Sequence, residues 1–323
     1  MRTHIKPIPV TGFLLLTVMV MALLLSAANE AWLAHPAAGI VAVIITVGTM
    51  VDIYLEGKDL LQNDSNPAEF LTKALECSAV FIGGIFTFYL SIEMGLGAVI
   101  ASSLVAIIAD MIIPDYGVPA YCGSFVGMSS NALFFNFSEV ALASAIAGLV
   151  YVLARDVYGG FGGKLGTIAF IGGAIAGFGL GREFLVVPIA DLYTNLWVLA
   201  IAFIAAPLTF YLSHNRGNGP VLASGVVGLF GGLTLPALFP QIGNTLAVVA
   251  ICASFTGMSS TQRCHRFWHI LVAGLFTEIL FIFTTPLLGG AGGKLGTIAF
   301  ASIISTNGFI RIYQQIHGVE PCE

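Results

Sequence analysis

Residues 159–170 read GGFGGKLGTIAF and residues 289–300 read GGAGGKLGTIAF, two strings identical at 11 of 12 positions. Chance does not supply such a match, and a repeat at this spacing governs every later reading of the chain. The same offset of 130 residues lays CGSFVGMSS at 122–130 over CASFTGMSS at 252–260, identical at 7 of 9. Upstream the offset falls to 122: GAVIASSLVAIIADMIIP at 97–114 lies over GPVLASGVVGLFGGLTLP at 219–236, and FTFYL at 86–90 over LTFYL at 208–212. The second copy therefore holds eight extra residues between Pro236 and Cys252.

Composition sets the solvent. Of 323 residues, 57% are hydrophobic and 9% charged, with a mean hydropathy of +0.95, far above a water-soluble globular chain. Apolar stretches of about 20 residues, enough to cross a hydrocarbon core of about 30 Å, recur along the chain and leave no room for a soluble domain. Five cysteines without a C-x-x-C pair exclude a disulfide framework and read as reduced. The net charge is -5 and the 12 Lys and Arg are spread singly, which gives no footprint for nucleic acid. No H-E-x-x-H, G-x-S-x-G or P-loop string is present, so the chain is not expected to be an enzyme, and no cofactor or metal is expected beyond a coupling Na⁺ or H⁺. Arg2 and Lys6 before the apolar run 13–25 share the pattern of a signal peptide. A second span, 36–55, follows after a very short polar break, which favours a retained first helix.

Each half reads as a helix (70–90; 191–213), a second (97–114; 219–236), the C-x-S-F-x-G-M-S-S segment, a third (138–156; 268–287), the glycine loop and a last helix (165–182; 295–312). Whether the halves point the same way depends on whether the serine-bearing segment crosses the membrane, and Lys and Arg, which favour cytoplasmic loops, decide it. If it crosses, Arg2, Lys6, Lys58, Lys73, Arg155, Lys164, Arg216, Arg263, Arg266 and Arg311 lie inside, with Arg182 and Lys294 outside. If it dips and returns, Arg155, Lys164, Arg216 and Lys294 fall outside, a poorer split. The expected fold is thus an all-α integral membrane protein with two inverted-topology repeats of about five transmembrane segments each and broken or re-entrant helices. Two N-terminal transmembrane helices occupy 1–60, the repeats 69–184 and 191–313, and a C-terminal tail 314–323. Both termini are expected on the cytoplasmic side of the plasma (inner) membrane. Pro114, Gly117, Pro119, Gly123 and Gly127 in one copy, and Pro240, Gly243 and Gly257 in the other, should break the crossing segment. Broken backbone at that depth implies a wet cavity.

Candidate substrate-binding residues follow from the repeated strings. Cys122, Ser124, Phe125, Gly127, Ser129 and Ser130, with their mates Cys252, Ser254, Phe255, Gly257, Ser259 and Ser260, supply hydroxyls and small residues that let a ligand approach the backbone; the competing role is helix packing. Gly163, Lys164, Gly166 and Thr167, with Gly293, Lys294, Gly296 and Thr297, place free amides, a positive helix end and a lysine together, the ingredients of an anion site; the competing role is an interfacial turn. The paired loops at 159–163 and 289–293 resemble the G-G-x-G loops of sodium-coupled carboxylate and glutamate carriers, which enter the membrane from opposite sides in inverted halves. That resemblance covers those ten residues alone and implies such an entry here.

Glu278, in the middle of HILVAGLFTEILFIFTTP, and Asp110, toward the end of its span, are acids inside apolar segments and candidate ion-coupling residues. Their repeat mates are Gly148 and Gly232. Cys264, His265 and His269 have metal-ligand spacing, but with Arg263 and Arg266 between them they read as a basic helix end. The function expected is ion-coupled, alternating-access transport of a small polar solute or ion, an anion among the candidates, through a midplane site between the repeats. A passive channel of the same architecture and a membrane subunit of a larger complex are the rivals. The partners expected are the solute and the lipid bilayer, with a homo-oligomer compatible.

Overall fold

A computed structural model describes residues 7–62 and 69–318. The described residues form twelve α-helices: α1 (Pro7–Ala34), α2 (Pro36–Gln62), α3 (Phe70–Phe88), α4 (Ala98–Ile112), α5 (Pro114–Gly127), α6 (Phe137–Ala154), α7 (Lys164–Gly179), α8 (Leu192–His214), α9 (Pro220–Leu238), α10 (Gly243–Gly257), α11 (Phe267–Thr284) and α12 (Lys294–His317). A π-helical turn, Tyr89–Glu93, closes α3. Eight of the helices are long and apolar enough to cross a membrane, and α4, α7 and α10 are shorter apolar helices. Arg2, Lys6, Cys322 and the second half of the expected C-terminal tail, 319–323, lie outside the described residues.

The serine-bearing segments depart from the expected interior break. Both remain helical through Gly127 and Gly257 and stop at Met128 and Met258, after which non-helical chain leads to α6 and α11. Pro119 costs α5 one bond near its start, where few are at stake, and α10 begins only after Pro240. A helix of 14 residues rises about 21 Å. That falls short of a hydrocarbon core of about 30 Å, and the chain after Met128 turns at once, with Leu133 N and Phe134 N both donating to Ser130 O.

Ion pairs tie the helix ends. Arg155 after α6 meets Glu76 near the start of α3 at 3.1 Å. Arg263, before α11, donates to Glu56 near the end of α2 at 2.6 and 3.0 Å, and Arg311 near the end of α12 donates to Glu56 at 2.7 Å. Arg182 after α7 donates to Glu139 in the first turn of α6 and lies 4.0 Å over the ring of Phe135. The core between these ends runs through α5, α7, α10 and α12, where Tyr121, Phe125, Phe170, Phe255 and Phe300 are the largest buried side chains.

Candidate functional site

The four repeated strings meet one another. Gly162 N donates to Ser259 Oγ at 3.0 Å and Gly292 N donates to Ser129 Oγ at 2.9 Å, so each glycine loop is held by a serine of the other half. Ser260 N donates to Gly160 O at 2.9 Å and Ser130 N to Gly290 O at 2.8 Å, closing the same reciprocal pair in main chain. A hydroxyl both donates and accepts, and these spend both capacities: Ser129 Oγ donates to Val126 O and Ser259 Oγ to Thr256 O. Within each half, Cys122 Sγ donates to Leu165 O and Cys252 Sγ to Leu295 O, both at 3.3 Å.

Glycine is required where the halves touch. A Cβ on Gly162 would lie 2.2 Å from Phe255 O, and one on Gly292 2.0 Å from Phe125 O. Gly166 and Gly296 form the crossing of α7 and α12: a Cβ on either would stand 2.5 Å from the Cα of the other. Gly163 and Gly293 have φ of 80° and 90°, the left-handed region open to glycine, and α7 and α12 start directly after them. Gly127 and Gly257 let α5 and α10 lie against α3 and α8. Thr167 and Thr297 are buried and bond locally, to Gly163 O and Gly293 O.

The two lysines turn back onto carbonyls. Lys164 Nζ donates to Arg155 O at 2.9 Å, while Lys294 Nζ donates to Thr284 O at 3.1 Å and Leu287 O at 2.8 Å. Each caps the negative end of the helix before its loop.

Rings fill the centre expected to be open. Phe125 and Phe255 meet at 4.7 Å between centroids with their planes tilted by 56°, and Tyr121 packs on Phe125 at 4.4 Å. Hydroxyls run beside them: Tyr121 to Ser224, Ser224 to Ser254, and Ser102 to Ser124, each 2.8 Å. On one side of the rings a cavity of about 260 Å³ is lined by Phe125, Phe255, Tyr151, Arg155, Tyr158 and Lys164 together with the first glycine loop. The second glycine loop is strapped instead. Leu185, in the connection between α7 and α8, forms an antiparallel bridge with Gly289, its N donating to Gly289 O at 2.9 Å and its O accepting from Gly289 N at 2.8 Å.

Glu278 is fully buried in α11, and neither carboxylate oxygen has a hydrogen-bond partner among the described residues. Beside it, Thr256 and Thr277 share a hydroxyl bond of 2.8 Å. The matching positions of the first half are Val126, Ala147 and Gly148, so this polar strip belongs to the second half alone. Asp110 lies elsewhere, half-buried in the last turn of α4 beside Gly117. Cys264 is buried, and His269 Nδ1 accepts from Arg266 N at 3.3 Å, capping α11.

Two acids escaped the sequence reading. Asp52, fully buried in α2, accepts from Asn307 Nδ2 at 2.8 Å and lies 3.4 Å from Arg311, while Glu56 takes the two arginines described above. The signal was present: Asp52 and Glu56 are four residues apart on one span, and Asn307 and Arg311 four apart on another, so each pair shares a helix face.

The span-length apolar helices and their tightly interlocked core define a polytopic helical membrane protein. No protein-family model matches the chain, and no curated protein and no solved structure matches it either.

Proposed function

We propose that the chain is a secondary transporter of the plasma (inner) membrane that moves a small solute, an anion by preference, by alternating access between two inverted halves. The observation that carries the reading is the unequal state of two nearly identical loops around a shared centre. A chamber reaches Phe125 and Phe255 past the first glycine loop, while the matching second loop lies under the Leu185 strap. The inverted arrangement is supported by the ion pairs. Arg155 at the end of α6 sits with Glu76, and Arg263 at the start of α11 reaches Gly159 O of the first loop at 3.0 Å. The matching helices α6 and α11 therefore run in opposite senses. That end also gathers Glu56 and Arg311, and by the preference of Lys and Arg for cytoplasmic loops it is the cytoplasmic one.

Glu278 is the residue assigned to ion coupling. A carboxyl without a partner in a dry helix interior is costly, and nothing in the packing of the first half calls for one at Gly148. Asp110, half-buried at a helix end and apart from the chamber, is less suited. The test is uptake into proteoliposomes across a panel of small anions, cations and neutral solutes, with and without Na⁺ or pH gradients. Glu278→Gln is expected to abolish concentrative uptake while downhill exchange persists. Concentrative uptake at the wild-type level in that variant refutes the assignment, and gradient-independent flux through the wild-type chain would make it a channel.

A further inference from the structure

Resting on that reading, we propose that the ion coupled to transport is a proton, carried on the carboxyl of Glu278 in a dry site that offers no oxygen shell to a metal cation. The surroundings of this acid supply neither a donor nor a countercharge. Both of its oxygens are buried without a hydrogen-bond partner among the described residues. The hydroxyl of Thr277 gives its hydrogen to Ala273 O at 2.8 Å, so Thr256 donates the bond that joins the two threonines, and both hydrogens are spent. The titratable groups of the neighbouring helices are engaged as well. Cys252 of α10 lies within electrostatic reach of both Glu278 and Lys294, and its Sγ donates to Leu295 O. Lys294, at the start of α12, turns to Thr284 O and Leu287 O. On α11 itself, His269 caps the helix start. α8 has no titratable side chain between Tyr193 and Tyr211, and α1 has one, Glu30, near its end. Asp52 and Glu56 of α2 are held by Asn307, Arg263 and Arg311.

A carboxylate stripped of water, with no donor and no cation beside it, is very costly in a helix interior. One proton cancels that charge and needs no added volume. Na⁺ is the poorer occupant. A hard cation needs several oxygens in place of its water, and carriers commonly take them from unwound main chain. Here α11 is an unbroken helix from Phe267 to Thr284, and α10 stays helical through Gly257, with Thr256 O already accepting from Ser259 Oγ. The carbonyls of α11 beside Glu278 are thus bonded within the helix, and the carboxylate with two linked threonines makes too thin a shell for Na⁺. Because Val126, Ala147 and Gly148 stand at the matching positions, each chain has one such site.

Infrared spectra of the purified full chain in an ester-free detergent test the assignment apart from any flux. At neutral pH the carbonyl stretch of an un-ionised carboxyl should be present with or without Na⁺ and should be lost in Glu278→Gln. If that variant does not give a monodisperse protein, Glu278→Asp keeps the carboxyl on a shorter arm and should shift the band. Thermal unfolding should be the same in Na⁺ and choline at equal ionic strength. In proteoliposomes a pH gradient should drive uptake from the solute panel, and a Na⁺ gradient should not. Identical carboxyl spectra for wild type and Glu278→Gln overturn the proposal, as do a band that Glu278→Asp leaves unmoved and a stabilisation by Na⁺ that Glu278→Gln abolishes. A band assigned to Glu278, with no uptake under any gradient, sinks the carrier reading and leaves the proton site standing. Uptake driven by Na⁺ and indifferent to pH keeps the carrier and overturns the proton.

Discussion

Gly296→Ala tests the interlock at its tightest point. The added methyl would stand 2.5 Å from Gly166 Cα, 2.9 Å from Gly163 O and 3.0 Å from Gly166 N, all backbone atoms of α7 and its loop, so no flexible side chain can move aside. Carbon atoms pack comfortably at about 3.5–4.0 Å, which requires α7 and α12 to part by roughly 1 Å. Overpacking of this kind costs about 1–3 kcal/mol. The rigid clasp on either side, Gly162 to Ser259 and Gly292 to Ser129, places the cost toward the upper end. Gly166→Ala is the mirror perturbation and should cost the same. The pair should be sub-additive, because the separation that relieves one methyl relieves the other. Gly179→Ala is the control, since a Cβ there meets nothing within 4 Å. Thermal unfolding in detergent, followed by loss of the monodisperse peak, should fall by several degrees for either single variant and remain unchanged for the control. Equal midpoints for Gly296→Ala and Gly179→Ala would refute the claim that these glycines exist for the crossing.

Ser259→Ala leaves the buried Gly162 amide without its acceptor, and should cost about 1–3 kcal/mol in the same assay; Ser129→Ala should match it, and a silent pair would mean the clasp bonds contribute nothing. Arg263→Ala removes two bonds to Glu56 and one to Gly159 O, yet Arg311 still holds Glu56, so the loss should fall below the about 3–5 kcal/mol typical of a broken buried pair. Unfolding of Arg263→Ala compared with Arg311→Ala and the double variant measures the coupling, and strict additivity would deny the network. Leu185→Pro deletes the N–H that bonds Gly289 O and should expose the second loop. A cysteine placed at Ala291, buried in wild type, should then react with a membrane-impermeant maleimide from the side opposite Arg263; unchanged labelling would show that the strap closes nothing.

Much of the helix order is legible in the sequence because each span is bounded by glycine, proline or charge. The expected 97–114 is seen as Ala98–Ile112, 138–156 as Phe137–Ala154 and 268–287 as Phe267–Thr284. The last helix runs on to His317, past the expected 312, since Arg311 reads as the end of a span but is drawn back along α12 by Asp52 and Glu56. The site is less legible. Ser129, Ser259, Gly162 and Gly292 read equally well as ligand groups or as packing, and the sequence cannot reveal that each string's partner is the other string, met across 97 to 163 residues of chain. Nor can it show that Lys164 Nζ folds back nine residues to Arg155 O. Periodicity reports which face of a helix is apolar, not which distant backbone lies opposite.

The differences between the copies are more informative about function than their identities. The reciprocal clasp accounts for the identical residues: any change to Gly162, Ser259, Gly292 or Ser129 breaks a contact that both halves share. Tyr158 and Leu288 even share the same left-handed backbone, with φ of 51° and 46°, so the loops keep one conformation while their side chains diverge. What has diverged is chemical. Arg155 faces Thr285, Phe161 faces Ala291, and Gly148 faces Glu278 across the repeat. On the proposed reading, the two loops exchange roles, one strapped and one open, and small differential contacts shift that equilibrium. The unequal side chains then set what each arrangement holds: the solute in the open first half, and the coupling ion at Glu278 in the second. On that reading the acid at position 278, which the first half lacks at Gly148, is where occupancy by the coupling ion would bias one arrangement over the other.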